Sequence, residues 1–400
     1  MKRIVPVPVT AYTLATALGK GRDVHAEALR AGRSGLAAKP FETVELPTWI
    51  GEVPGVDAQP LPPALAAFEC RNNRLAWQAL QADGFDAQVR AAVARWGAHR
   101  VGVFLGTSTS GILQTELAYR RRDAATGALP ADFHYAETHN TYSVAAFARA
   151  LLGLTGPAAV LSTACSSSAK VFGQAQRMIA LGLIDAALVG GVDSLCLTTL
   201  YGFHSLELLS PDVCRPWDAG RHGLSLGEAG AFALLERTAP AGAVPQGLLL
   251  GCGESSDGHH MSSPHPEGLG AAEAMQAALA QAGLQAADID YVNLHGTATP
   301  NNDQAEDLAV SAVFGAVPCS STKGATGHTL GAAGAVEAAL SLLSLREQWI
   351  PAGLHVRQRD PSLHANYQTT GRTARLRHVA SNSFGFGGSN TCLVFGEVTQ

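Results

Sequence analysis

The chain lacks several features that would place it quickly. No uncharged apolar run reaches the roughly 18 residues of a membrane helix, so no membrane span is expected. No CxxC pair occurs among Cys70, Cys165, Cys196, Cys214, Cys252, Cys319 and Cys392, and their scatter and odd number argue against a disulfide framework or a zinc site. The opening MKRIVPVPVTAY has a basic start but no leader-length apolar stretch, since two prolines and a threonine interrupt it, and a cytoplasmic protein is expected. An excess of positive charge is missing too: the net charge of −5 speaks against a nucleic acid as the main partner. The 43 glycines punctuate many turns and form no single low-complexity tract.

What is present suits a large packed core. Of 400 residues, 46% are hydrophobic and 15% charged, enough for two lobes or one double-sized unit. Short apolar runs recur, among them VGVFLG, AAVLS, AALVGGVDS, AGAFALLE, GLLLGCGES, YVNLHG, HVASNSFG and NTCLVFG, and read as buried strands. Helical periodicity lies between them, at Ser166 to Leu181 with Ala169, Phe172, Ala175 and Ile179 on one face, and at Ala271 to Ala282. Alternation of this kind predicts an α/β fold. AAVLSTACSSSAKVFGQAQRMIALG also resembles AVPCSSTKGATGHTLGAAGAVEAALSLL: each is a strand, a small-residue turn and an Ala-rich helix. The chain therefore reads as two distant copies, 1–245 and 246–400, meeting in TAPAGAVPQ, and as pseudo-repeats if they share one core.

Four polar clusters stand out. Cys165, in LSTACSSSAK, opens a helix where backbone N–H groups and the helix dipole favour thiolate over thiol, as a nucleophile requires; a packed structural cysteine is the alternative. His295 ends an apolar strand in YVNLHGTATPNND, at a place where side chains converge on clefts. Lys323 and His328 occupy the turn equivalent to the one carrying Cys165. Glu337 is the only charge between Gly331 and Leu345, so burying it calls for a partner, and Lys323 is the candidate; the alternative is a solvent-facing glutamate. SNSFGFGGSN, at 381–390, forms a flexible loop whose backbone can approach a ligand and supply an oxyanion donor.

The order Cys165, His295, Lys323, His328 and GFGGSN resembles the elongating β-ketoacyl-[acyl carrier protein] synthases of the thiolase superfamily, with RPWDAGRHGLSLGEAG, GVDSL and HMSSPHPEG as further pieces, and the likeness covers nearly the whole chain. The resemblance implies a thiolase-like fold of two βαβαβαββ halves in five α-β-α-β-α layers, assembled as a homodimer or with a chain-length-factor-like subunit. It implies that Cys165 carries the acyl chain, that His295 and His328 act as neutral donors during decarboxylation of malonyl-acyl carrier protein, and that Lys323 and Glu337 form a buried pair. The N–H groups of Cys165 and Phe386 would hold the tetrahedral oxyanion, and Asp303 and Glu306 would brace the network. Thr297, Thr299 and Ser262 would line the channel for a phosphopantetheine arm that the acyl carrier protein brings, so no cofactor of the chain's own is expected. Phe384 and Phe386 would gate acyl entry.

Departures from the family pattern include the opening RIVPVPVTAY, Ala298 in place of glycine, and His222 after Arg221. Ser108 and Thr109 stand where many fatty-acid enzymes carry glycine and a larger apolar residue, which suggests a polar acyl pocket and a polyene or aryl-polyene chain. A positive docking patch for the acidic carrier is expected near the channel mouth, from Arg120, Arg121 and Arg122 or from Arg71 and Arg74. The rivals are a non-catalytic, chain-length-setting subunit, which would not need Cys165, and a cysteine hydrolase, which leaves Lys323 and the second histidine unexplained. No metal site is expected at His259, His260 and His265, since adjacent histidines in a loop do not form a facing pair.

Overall fold

The computed structural model of the protein describes residues 5–398; the basic start at Lys2 and Arg3 lies outside them. Ten strands build two matching half-sheets. The first contains β1 (Val7–Thr16), β2 (Val101–Gly106), β3 (Ala158–Leu161), β4 (Ala186–Asp193) and β5 (Ala229–Glu236) in the order β3-β2-β4-β5-β1. The second contains β6 (Gly247–Ser256), β7 (Tyr291–Asn293), β8 (Cys319–Ser320), β9 (His378–Gly385) and β10 (Ser389–Gly396) in the order β8-β7-β9-β10-β6. In each half the second strand runs parallel to its two neighbours, and the fifth runs antiparallel to its own. Identical order and direction make the pseudo-repeat explicit, and the chain crosses between halves after Glu236 and before Gly247.

The halves are not separate sheets. Val7–Val9 pair antiparallel with Gly247–Leu249, and with the short strand Gly19–Lys20 they complete one 11-stranded sheet. Immediately beyond that joint the register slips in both strands, between Val9 and Ala11 and between Leu249 and Gly251. Bulges bend a strand, so the sheet turns there and its two wings enclose a helical layer.

That layer consists of α4 (Ser167–Ala180) and α7 (Ala333–Glu347). Outside it, α1 (Arg71–Gln81), α2 (Phe85–Trp96) and α3 (Ser143–Leu152) cover the first wing, while α5 (Leu269–Ala282) and α6 (Pro300–Phe314) cover the second. Strand alternation sorts the side chains: Ala231, Ala233 and Leu235 of β5 face the central layer, and Phe232 and Leu234 face the outer helices. Every residue of α7 from Ala333 to Leu345 is buried, the fate of a helix apolar on all sides. The central helices touch closely at Gly334, where a Cβ would lie 2.6 Å from the Ala169 nitrogen. This packing brings the N-termini of α4 and α7, and the turns before them, to one place.

Candidate active site

The nucleophile turn is built by backbone strain and small side chains. Ala164 adopts φ 51°, in the left-handed region, and sets Cys165 just ahead of α4. The Ser167 hydroxyl accepts the Thr163 N–H at 2.9 Å, locking the turn. Gly385 packs against it so tightly that a Cβ would fall 2.5 Å from the Thr163 carbonyl oxygen, and this brings the Phe386 N–H onto the Cys165 sulfur.

The equivalent turn of the second half supplies the imidazoles. His328 is strapped to the first half by its N–H to the Ser225 carbonyl (2.8 Å) and its own carbonyl to the Gly227 N–H (3.0 Å). Its Nε2 lies 3.0 Å from Cys165 Sγ. The His295 ring stands edge-on to it, with centroids 5.3 Å apart, and Phe384 flanks His295 at 5.6 Å.

Lys323 and Glu337 form the buried pair foreseen from the sequence, at 1% and 2% exposure. The Lys323 ammonium donates to Glu337 Oε1 and to the His295 carbonyl, and it lies 3.4 Å from His295 Nδ1. An ammonium has no lone pair, so Nδ1 must accept, and the ring proton of neutral His295 sits on Nε2. Burial, reinforced by the Lys323 charge, holds both imidazoles well below their usual range, with His328 adding to the effect on His295. Both are therefore neutral.

Two carboxylates brace the histidine turn. Glu306 accepts the N–H groups of His295 (2.8 Å) and Gly296 (2.7 Å) and the Asn382 amide (3.1 Å). Asp303 accepts the N–H groups of Ala298 (3.2 Å) and Trp217 (3.1 Å), both left-handed at φ 66° and 65°. One carboxylate thus holds two strained backbones, which shows how alanine is accommodated in place of glycine. Burial raises Asp303 to about 6, against the pull of Arg221, and Glu306 to about 7, against its N–H donors.

Several expectations need correction. The thiolate anticipated at the helix start does not survive burial, which pushes the Cys165 thiol up to about 12 against the opposing pull of Lys323 and the Phe386 N–H. Ser108 and Thr109 do not make a polar wall in the cavity: the Ser108 hydroxyl donates to the Ala164 carbonyl (3.3 Å) and that of Thr109 to Asp193 (2.8 Å). Arg71 is 6% exposed and locked to Glu228, Glu52 and Asp57, while Arg74 is paired with Glu69 and Asp57, so neither forms a free docking patch. Arg120, Arg121 and Arg122 are exposed, but none lines the cavity.

Asp193 was missed as a site residue. It accepts from Thr107, Ser108, Thr109 and the Gly331 N–H, tying the floor beneath Cys165 to the turn after His328. Its signal was legible, since it is the only charge in AALVGGVD and poses the same burial problem as Glu337.

The cavity above this cluster has a volume of about 270 Å³ and reaches Cys165, His295 and His328. Thr297, Thr299, Ser262, Phe384 and Phe386 all line it, and the two threonine hydroxyls bond each other at 2.8 Å. Donor atoms of Cys165, His295 and His328 lie within 4.8 Å of one another, close enough to hold a soft cation. The Lys323 ammonium beside His295 opposes a second positive charge there. His259 and His265 pack ring to ring at 5.1 Å, and among the described residues the histidine loop contributes to no such cluster.

Two descriptions match in succession: "Beta-ketoacyl synthase, N-terminal domain" over 64–241 and "Beta-ketoacyl synthase, C-terminal domain" over 246–357. The chain belongs to the β-ketoacyl synthase family of condensing acyltransferases and has its thiolase-like fold. It is 32% identical to 3-oxoacyl-[acyl-carrier-protein] synthase 2 of Vibrio cholerae, across 97% of this chain and 98% of that one. It is 40% identical to the mitochondrial 3-oxoacyl-[acyl-carrier-protein] synthase of Arabidopsis thaliana, where the match spans 62% of this chain and 58% of the relative. A ketosynthase from Xenorhabdus doucetiae, solved in complex with its chain length factor, superposes with a TM-score of 0.88 at 39% identity over 98% of both chains. Among the described residues no helix is long and apolar enough to cross a membrane.

Proposed function

We propose that the protein lengthens acyl chains by decarboxylative Claisen condensation, taking both partners from acyl carrier protein and returning a β-ketoacyl-carrier product. The observation that carries this reading is a buried thiol 3.0 Å from one neutral imidazole, with a second neutral imidazole edge-on to the first, at the floor of a cavity. A thioester carbonyl placed above Cys165 meets the N–H groups of Cys165 and Phe386. The sulfur attacks, the S–H proton passes to the departing carrier thiol, and the acyl group stays on Cys165. Because the thiol is neutral at rest, its proton leaves as the sulfur attacks and passes directly to the departing carrier sulfur.

Malonyl carrier then enters. The C–C bond to its carboxylate breaks, carbon dioxide leaves, and the electron pair forms an enolate whose oxygen accepts from the His295 Nε2 proton and from His328. Both rings supply hydrogen bonds without charge, and Lys323 holds the His295 tautomer. The carbanion attacks the acyl carbonyl, and Cys165 leaves as thiolate and takes a proton from water, so that each cycle consumes one proton. A cysteine hydrolase would need neither the second histidine nor the Lys323–Glu337 pair, and a non-catalytic subunit would not need the sulfur.

The phosphopantetheine arm belongs to the carrier, and Thr297, Thr299 and Ser262 would guide it. All four residues of β3 are half-buried at an open sheet edge, which suits pairing with a second chain of this fold, an identical copy or a chain-length-setting relative. A polyene or aryl-polyene substrate now rests on likeness to a ketosynthase that works with a chain length factor, and no longer on Ser108 and Thr109. A cytoplasmic setting is part of the same proposal. The test is intact mass of wild type and Cys165→Ala after incubation with acyl carrier, then with malonyl carrier. An adduct on wild type alone, discharged as a product two carbons longer, is expected; no adduct with any chain would overturn the reading.

A further inference from the structure

The rim of the cavity differs from the basic collar that an acidic carrier would call for. Its walls come mainly from segments 197–208, 257–269, 295–308 and 384–390, completed by Cys165, Leu224 and His328, and none of the lining residues is a lysine or arginine. Charged side chains exposed on these walls are carboxylates such as Glu207 and Glu267. Between them stand large apolar groups in water: Met261 at 78% exposure, Leu206 at 50% and Tyr201 at 48%. Each lies within two residues of one that lines the opening. Tyr201 and Leu206 flank Phe203, which lines the cavity, and Met261 adjoins lining Ser262 while its carbonyl accepts the Gly387 N–H at 2.7 Å.

Resting on the condensation reading above, we propose that the carrier protein docks on this collar by apolar contact, with Met261 as anchor and Leu206 and Tyr201 beside it, rather than by ion pairing. A carrier whose arm reaches Cys165 has to sit over the mouth, because the arm enters there. Once seated, its body lies on these three side chains. Long-range attraction has no source among the walls, and the rim carboxylates oppose an acidic partner. Exposed apolar groups clustered at one opening are the usual mark of an interaction site, and desolvating them is what remains to hold the partner. The carrier suited to this surface presents an apolar face beside the serine bearing its arm.

Steady-state kinetics with acyl carrier protein test the proposal. The KM for carrier should not rise between 50 and 500 mM salt, since apolar contacts are not screened and the repulsion from the rim carboxylates is. Met261→Asp should raise that KM by about tenfold with kcat held, a loss typical of an interface anchor, and Met261→Leu should restore it. A KM that climbs tenfold with salt would overturn the proposal. So would Met261→Asp leaving KM unchanged while joint replacement of Arg120, Arg121 and Arg122 by glutamate raises it. Absence of any wild-type condensation would instead sink the reading on which it rests.

Discussion

The Lys323–Glu337 pair allows a quantitative test of how the site is held. Replacing Glu337 with leucine leaves a fully buried ammonium facing only the His295 carbonyl and Nδ1. Removing one partner of a buried pair in this way costs about 3–5 kcal/mol. Replacing Lys323 with methionine is milder. Burial already raises the Glu337 carboxyl to about 7, against the Lys323 charge, so without that charge it takes up a proton and keeps the Ser383 hydroxyl at 3.3 Å. A loss of about 1–3 kcal/mol is expected, the scale of an under-satisfied neutral group. The double variant buries neither charge and should lie within about 2 kcal/mol of wild type. Summed singles then exceed the double by at least about 2 kcal/mol. Urea melts followed by tryptophan fluorescence would measure all four proteins. Losses that add to within about 0.5 kcal/mol would refute the account, because independent sites behave that way. Sign matters with pH as well: Lys323→Met should lose more at pH 8 than at pH 6, since above its raised pKa Glu337 must be buried charged or the chain must open.

Further expectations follow from single positions. The alkylation rate of Cys165, read by intact mass with Cys165→Ala as control, should still be rising above pH 9, and a plateau below pH 8 would contradict a thiol raised to about 12. His25 is buried and held down to about 4 by desolvation, so above the unfolded value of about 6.5 its contribution is complete, and it is lost as pH falls from there to about 4. His25→Gln should flatten that acid limb by about 3 kcal/mol, and an unchanged slope would refute it. Ala298→Gly should be nearly neutral, within about 0.5 kcal/mol, because relief at φ 66° is offset by a lost buried methyl and a freer unfolded chain. Gly334→Ala should cost about 1–3 kcal/mol by forcing the two central helices apart, measurable in the same melts.

Local pattern carried much of this protein. Alternating apolar strands and Ala-rich helices predicted the α/β class, and the ends of the helices came within two residues of Ser166–Leu181 and Ala271–Ala282, at Ser167–Ala180 and Leu269–Ala282. Both reflect short-range periodicity and small-residue turns, which are written along the chain. The likeness of the two turns around Cys165 and Lys323 likewise foretold a doubled topology, and a lone glutamate among alanines implied a partner because burial of a bare charge is prohibitive.

Tertiary structure alone decided the rest. Arg71 looks like a free surface cation until Glu228, 157 residues away, closes on it. Thr109 looks like a pocket wall until Asp193 claims its hydroxyl. Cys165 has the helix start of a thiolate, yet burial keeps the proton on sulfur. The amino-acid order determines which chemical groups are present and which helices and strands carry them; desolvation and long-range partners, which exist only once the two halves have closed around α4 and α7, determine their charge and direction.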